Sequence, residues 1–154
     1  GIVRHRHRRA HAAPVAQQVG DALGVVLVGR DHQAGRVGLV TAQRGQPAFY
    51  VPDYMARAGY DIVPVPVYYP EAKEILGRPV FRTLRDVPAP VDMVNVFRRS
   101  EDIPPHVPDI LAARPRVAWF QLGIVNDEAA ETLARAGIQV VQDRCLLVEH
   151  QRLR

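Results

Sequence analysis

Apolar positions along the chain follow two alternating patterns, one typical of helices and one typical of buried strands. Val15, Val19 and Leu23 recur every four residues and predict a short amphipathic helix. The next stretch, 24–29, is an apolar run between two glycines and is typical of a strand buried on both faces. The same alternation predicts further strands at 61–65, 91–97, 116–121 and 138–142, and helices at 47–58, 101–113 and 127–136.

The order of these elements predicts the class of fold. Strands that alternate with helices form βαβ units, so we predict a doubly wound α/β domain with a mostly parallel sheet. The position of the first strand leaves an alternative, because 37–40 is also apolar. We favour 24–29, since a helix precedes it and Gly29 ends it, and 37–46 then becomes an extended loop.

The ends of the predicted helices carry signals of different strength. Asn126 is the predicted N-cap of the helix at 127–136, which has acidic residues in its first turn and Gly137 as its stop. Pro52 must lie in the first turn of the helix at 47–58 or kink it, and Pro108 interrupts the helix predicted at 101–113.

Length and charge limit the function classes. The chain has 154 residues, and we predict a basic tail at 1–13 and a single domain at 14–154. Four arginines among the first nine residues account for the net charge of +4, so the body is neutral and no nucleic-acid partner is expected. The apolar runs are far shorter than the roughly 20 residues that span a bilayer, so no membrane partner is expected. No apolar secretory segment follows the basic head, which makes the cytoplasm the expected compartment.

Arginines follow two of the predicted strands. In an open parallel sheet, ligands bind outside the carboxyl ends of the strands, where Arg30, Arg98 and Arg99 are expected. Guanidinium groups at two strand ends, together with helix N-termini, suit a polyphosphate ligand. The alternative is that Arg98 and Arg99 are solvated charges without a ligand.

Motifs of common nucleotide-binding and catalytic sites are absent from the sequence. No G-x-G-x-x-G follows the first strand, no acidic residue ends the second, and there is no P-loop motif, which disfavours NAD dehydrogenases and P-loop enzymes. Ser100 lacks a G-x-S-x-G context, and Cys145, the single cysteine, is more typical of packing. His106 and His150 have no metal-ligating partner at helical spacing, and Glu149 with His150 forms either a general-base pair or a helix end. We therefore predict no catalytic residue and no metal site.

Several segments resemble a known family. They are 47–54, 59–65, 92–102, 119–124 and 143–150, with Val-Phe-Arg-Arg-Ser-Glu-Asp and Gln-Leu-Gly-Ile as the specific pieces. In this order they are similar to the small bacterial and archaeal CoA-binding proteins, which resemble the CoA-binding domain of the succinyl-CoA synthetase alpha subunit. The resemblance spans residues 14–154. It implies a Rossmann-like three-layer α/β/α fold with a five-stranded parallel sheet in the order 3-2-1-4-5.

The resemblance also implies a set of residues that contact CoA. Phosphates and adenosine would lie over the loop after strand one and the start of the next helix, and the ends of strands two to four would complete the site. The implied residues are Gly29, Arg30, Asp31, Arg36, Pro47, Ala48, Phe49, Pro66, Phe97, Arg98 and Gln121. The sequence departs from the family pattern at 37–46, which resembles an inserted decapeptide, and at 65–67, where the family commonly has Asn-Pro.

The leading hypothesis is a non-catalytic domain that binds CoA or acyl-CoA at the carboxyl edge of a parallel sheet. An NAD(P)-dependent oxidoreductase of the same fold is the first alternative, because the arginines could bind a 2′-phosphate. The second alternative is a regulatory partner module that has lost ligand binding through the loop at 37–46.

Overall fold

The computed structural model of the protein describes residues 2–4, 24–28, 45–66, 70–88 and 90–154. The helices are α1 (Pro47–Arg57), α2 (Val107–Ala113), α3 (Asp127–Arg135) and α4 (Leu146–Arg152). The strands are β1 (Ile2–Arg4), β2 (Gly24–Val28), β3 (Val65–Pro66), β4 (Glu74–Ile75), β5 (Arg78–Pro79), β6 (Met93–Val96), β7 (Val117–Phe120) and β8 (Gln139–Gln142). Short 3₁₀ turns occur at Leu84–Asp86, Ser100–Asp102 and Pro104–His106. No helix within these described ranges is long and apolar enough to cross a membrane.

Six strands form one mixed sheet in the order β1-β8-β7-β6-β2-β3, and β4 pairs with β5 separately. β1, β8, β7 and β6 are parallel neighbours, whereas β2 is antiparallel to both β6 and β3. The predicted order 3-2-1-4-5 is therefore wrong, because the third predicted strand, β6, lies between β2 and β7 rather than at an edge. Val94, Asn95 and Val96 of β6 are completely buried, and a strand buried on both faces belongs in the middle of a sheet.

The predicted first strand forms as β2, but it runs in the direction opposite to the prediction. β2 pairs Val25 with Val96 and Val28 with Met93, so its carboxyl end lies beside the start of β6. The side chains of a strand alternate with a period of two residues in either direction. An apolar run therefore predicts a buried strand without fixing whether the strand is parallel or antiparallel.

The second predicted strand, 61–65, is reduced to the two residues of β3. Pro64 and Pro66 lack a backbone N–H, so neither can donate a hydrogen bond to a neighbouring strand. Prolines are for this reason confined to edge strands, and β3 is at one edge of the six-stranded sheet.

β1 lies within the head of the chain that the sequence predicts as a basic tail. It pairs in parallel with β8, with Ile2 opposite Val140 and Arg4 opposite Gln142. The remainder of the head, 5–13, and the helix predicted around Val19 lie outside the described residues.

The N-cap predicted for α3 is confirmed. Asn126 Oδ1 accepts the Ala129 N–H at 2.9 Å. Its Nδ2 also donates to the Ser100 carbonyl at 2.8 Å, and its own N–H donates to Gln142 Oε1 at 2.8 Å. α3 is thereby fixed both to the loop after β6 and to β8.

The helix predicted at 101–113 is shorter than expected. Two 3₁₀ turns precede α2, which begins only at Val107. Pro104, Pro105 and Pro108 cannot donate the hydrogen bonds of a continuous helix, so the regular part is limited to a single short segment.

The core consists of apolar side chains from both helices and strands. The largest fully buried ones include Phe97, Phe120, Ile103, Ile110 and Leu133. The helices contact each other in pairs, α1 with α4 and α2 with α3.

Candidate functional site

The carboxyl ends of three neighbouring strands lie together along one end of the sheet, which we call the carboxyl edge. β6, β7 and β8 are parallel and adjacent, so the residues that follow them lie side by side. These residues are Phe97 with Arg98, then Gln121, then Asp143. The structure thus brings Arg98 and Gln121 of the predicted site to the same edge.

Gln121 is held within the protein by both polar atoms of its side chain. Its Nε2 donates to Asn95 Oδ1 at 2.6 Å, and its Oε1 accepts the Leu146 N–H at 3.3 Å. Gln121 and Asn95 are buried, and Asn95 Nδ2 has no hydrogen-bond partner among the described residues. Gln121 therefore links β6, β7 and the start of α4 below the edge. Asn95 was not predicted, although a polar residue within an apolar strand is a visible signal.

Two other predicted residues are buried rather than presented to a ligand. Phe97 is completely buried and belongs to the core. Ala48, in the first turn of α1, is 2% exposed and also contributes to the core. A ligand contact from either residue can come only from its backbone.

The first turn of α1 lies close to the residues that follow β8. Burial raises the pKa of Tyr50, and the nearby Cys145 raises it further. Pro47 starts the helix and Phe49 packs partly buried against the core. Pro47 and Phe49 of the predicted site therefore lie in a helix turn that is near the residues that follow β8.

The strand predicted to come first, β2, ends away from this edge. The loop residues Gly29, Arg30, Asp31 and Arg36 lie outside the described residues. The chain approaches them from Val28, which pairs with Met93 at the end of β6 opposite to Arg98. The expectation that the end of the first strand shares an edge with Arg98 is therefore wrong.

Arg98 is a nearly buried cation with incomplete hydrogen bonding. Only 11% of its side chain is exposed, and its Nη2 lies 3.9 Å from Asp102 Oδ2. Its Nε and Nη1 are buried and have no partner in the described part of the chain. The neighbouring Arg99 is exposed. The two neighbouring arginines therefore differ in burial, and only the Arg98 side chain is constrained by its surroundings.

His106 lies within electrostatic range of Arg98. Burial lowers the pKa of His106 below its ordinary value of 6.5, and the Arg98 charge lowers it further. Asp109 and Asp102 act in the opposite direction. His106 Nε2 is buried and no described residue bonds to it. The sequence did not predict His106 as a site residue, because its approach to Arg98 depends on the 3₁₀ turns between them.

A cavity of about 400 Å³ adjoins His106. It lies between β3, the turn at Leu84–Asp86 and the turn that leads into α2. Its lining residues are Val65, Pro66, Pro70, Arg82, Thr83, Leu84, Pro105, His106 and Asp109. Pro66 of the predicted site is therefore a cavity wall.

The turn after β8 is fixed to the turn after β7. Asp143 has a positive φ of 56° and its Oδ1 accepts the Gly123 N–H at 2.7 Å. The Trp119 indole N–H donates to the Arg144 carbonyl at 2.7 Å. These bonds give the edge a defined shape between β7 and β8.

Glu149 and His150 are engaged with different partners rather than with each other. Glu149 Oε2 lies 2.9 Å from Arg144 Nη1, and His150 Nδ1 lies 3.0 Å from the Tyr54 hydroxyl. His150 also makes edge contacts with the rings of Tyr54 and Tyr60. The pair fixes α4 to its surroundings, in agreement with the helix-end interpretation. In the described part of the chain, no cluster of three or more His, Cys, Asp or Glu residues could hold a metal ion.

Comparison with known proteins identifies one family model and several relatives that resemble this chain. A family model described as a CoA binding domain matches residues 37–151. The uncharacterised protein YneT of Bacillus subtilis (strain 168) is 41% identical over 96 residues, which are 62% of this chain and 69% of that protein. A solved Thermus thermophilus protein is 38% identical with a TM-score of 0.71, covering 79% of this chain and 91% of its own. A dinucleotide-forming acetyl-coenzyme A synthetase of Ca. Korarchaeum cryptofilum, in complex with phosphate and ADP, shares the fold at 19% identity and a TM-score of 0.56, over 68% of this chain and 24% of its own.

The matched region begins later than the sequence analysis expects. It starts at Val37, so 14–36 lie outside it and 37–46 lie inside it.

Proposed function

Because the chain belongs to the family of CoA-binding domains, we propose that it binds CoA or acyl-CoA at the carboxyl edge formed by β6, β7 and β8, with a phosphate on Arg98. The observation that carries this proposal is the Arg98 guanidinium, which is largely buried and has two nitrogens without partners in the described chain. Arg98 is paired with Asp102 at 3.9 Å through Nη2, but a buried donor without an acceptor still costs about 1–3 kcal/mol. A phosphate would supply acceptors for Nε and Nη1.

The proposed site includes the N-terminus of α1, which starts at Pro47 and lies within the matched region. Backbone N–H groups at a helix N-terminus are suited to phosphate. Of the three predicted residues here, Ala48 can offer its backbone N–H, whereas Pro47 has no N–H and the Phe49 N–H donates to the Gln46 carbonyl at 2.8 Å. Residues 29–36 precede the matched region.

The contacts of the reactive side chains support binding without catalysis. The Ser100 hydroxyl accepts the Val125 N–H at 3.0 Å. Glu149 is paired with Arg144, and His150 is hydrogen-bonded to Tyr54. These contacts give Ser100, Glu149 and His150 structural roles, which supports a binding function.

Calorimetric titration with CoA, NADPH and ATP tests the proposal. We expect CoA to bind and Arg98→Gln to weaken that binding about ten- to a hundredfold, as expected for the loss of charge-assisted hydrogen bonds. Arg99→Gln is the matched control, since it removes the same charge from the exposed neighbouring position. Preference for NADPH over CoA would favour an oxidoreductase. No binding of any ligand at millimolar concentration would favour a partner module.

A further inference from the structure

Arg98 and Asp102 form an ion pair at the carboxyl edge of the sheet. Arg98 Nη2 lies 3.9 Å from Asp102 Oδ2, and the two side chains are 11% and 36% exposed. Within the described chain, this is the ion pair that balances the Arg98 charge. A pair at the outer limit of contact distance, with one partner open to water, is weak. A second anion can therefore compete with the carboxylate for the guanidinium.

A short turn fixes the Asp102 carboxylate beside Arg98. Asp102 ends the 3₁₀ turn at Ser100–Asp102, which follows β6. The Ser100 carbonyl, at the start of this turn, accepts a hydrogen bond from Asn126 Nδ2 at 2.8 Å, so the turn is held to the N-cap of α3. The aspartate side chain is short, whereas the arginine side chain is long and has more rotatable bonds. Any rearrangement of the pair is therefore made by the guanidinium.

The other two nitrogens of the guanidinium determine how a ligand can reach Arg98. Nε and Nη1 are buried and have no acceptor within the described chain. A phosphate can bond to them only when the guanidinium turns away from its present position. The remaining nitrogen, Nη2, is the one that faces Asp102. A phosphate that pairs with Arg98 therefore either meets the carboxylate at Nη2 or requires a movement that breaks the ion pair.

We propose that Asp102 competes with the ligand phosphate for Arg98 and thereby lowers the affinity of the site. This inference rests on the proposed function, in which Arg98 binds a phosphate of CoA. It goes beyond that function by assigning a competing anion within the chain itself. In the free protein the carboxylate holds the guanidinium, and it releases the guanidinium when CoA binds.

Two electrostatic effects make Asp102 oppose binding. When a binding group is occupied in the free protein, the apparent affinity falls with the fraction of molecules in which that group is free. In addition, the carboxylate and the phosphate carry charges of the same sign and repel each other when they approach the same guanidinium. Movement of Arg98 breaks no hydrogen bond at Nε or Nη1, since neither nitrogen has an acceptor in the described chain. The contact with Asp102 is therefore the interaction that binding has to overcome.

The direction of the effect distinguishes competition from a structural role. A residue that only supports the shape of a site weakens binding when it is changed, because the ligand contacts lose their positions. Removal of a competing carboxylate strengthens binding. Glu101 offers a matched control, because it is exposed, carries the same charge and precedes Asp102 in the same turn. An effect of net charge alone would be similar in variants of both residues.

The first experiment compares CoA binding to the parent, Asp102→Asn and Glu101→Gln by calorimetry. At about pH 8 the His106 ring is neutral, because burial lowers its pKa below the ordinary value of 6.5, so the Asp102 charge does not act through this ring. We expect Asp102→Asn to bind CoA about three- to tenfold more tightly than the parent. We expect Glu101→Gln to change the affinity by less than about twofold.

The second experiment tests whether the effect passes through Arg98. In the Arg98→Gln background, Asp102→Asn should improve CoA binding no more than Glu101→Gln does, because the group for which the anions compete is absent. Asp102→Glu keeps the charge and should show no gain of affinity. Thermal melting verifies that each variant is folded, and Asp102→Ser is a second neutral variant in case Asp102→Asn does not fold.

The two proposals fail in distinguishable ways. If CoA binds to the parent and Asp102→Asn binds it no more tightly than Glu101→Gln, the competition is wrong and CoA binding stays intact. A gain of affinity that persists in the Arg98→Gln background would also overturn the competition, because it would not depend on the ion pair. If neither the parent nor Asp102→Asn binds CoA at millimolar concentration, the proposed function is wrong and the competition is wrong with it.

Discussion

Gln121 and Asn95 face each other inside the sheet, where Gln121 Nε2 donates to Asn95 Oδ1 at 2.6 Å. The bond joins the residue after β7 to β6, directly below the edge where CoA binding is proposed. Because Gln121 also accepts the Leu146 N–H, a single side chain sets the relative position of two strands and a helix.

Gln121→Leu should destabilise the protein by about 1–3 kcal/mol, because it leaves Asn95 Oδ1 and the Leu146 N–H buried and unpaired. Urea denaturation measures the change. The double variant Gln121→Leu with Asn95→Leu should lose less stability than the sum of the single variants, since each change removes the partner of the other. Strict additivity would show that the two side chains are not coupled.

Asn126→Ala should cost about 0.5–2 kcal/mol of unfolding free energy, the usual effect of removing an N-cap acceptor. Asn126→Ser is the control, because serine keeps the cap to Ala129 and loses only the bond to the Ser100 carbonyl. We expect the serine variant to lie between the parent and the alanine variant. Identical denaturation midpoints for all three proteins would contradict the capping role.

Arg98→Met should stabilise the ligand-free protein by about 1–3 kcal/mol while weakening CoA binding, because the variant removes two buried guanidinium nitrogens that lack acceptors and keeps an apolar chain of similar length. Arg99→Met should change stability by less than about 0.5 kcal/mol, as is usual at exposed positions. Chemical denaturation of both variants without ligand measures the difference. A destabilised Arg98→Met protein would show that the guanidinium is satisfied in the free state.

The stability of the protein should depend on pH through His106. The pKa of His106 is lowered from 6.5 by burial first and by Arg98 second, so the unfolded chain binds this proton at higher pH than the folded protein. The contribution of the neutral ring is complete above the unfolded pKa and is lost as the pH falls through the lowered one. We expect the unfolding free energy of the parent to decrease more steeply below about pH 6.5 than that of His106→Gln. Parallel slopes in urea denaturation at several pH values would contradict this.

Local signals predicted the parts of the fold that depend on neighbouring residues. Asn126 and Gly137 were correct because a cap and a stop act within one turn of a helix. The direction of β2 and its place beside β6 were not predictable, since an apolar run carries the same pattern in either direction and its partner is far away in sequence. The prolines around β3 shorten that strand, and the apolar pattern of 61–65 alone does not indicate this.

The candidate site was partly predictable for the same reason. Arg98 lies two residues after the buried strand β6, so its place at the edge could be inferred from the sequence. The approach of His106 to Arg98 could not, because it depends on how two 3₁₀ turns fold between them. The family match begins at Val37 and does not include residues 29–36, so the contacts predicted for that loop stay a prediction.

Three of the cavity walls are prolines, Pro66, Pro70 and Pro105, and this affects the kinetics of binding. The proline ring fixes φ, so these wall positions have little backbone conformational entropy to lose when a ligand enters. Association commonly costs free energy because loops become ordered. At these three positions the backbone is already ordered when the protein has folded. A small molecule that enters this cavity should therefore do so without a slow rearrangement of these three wall positions.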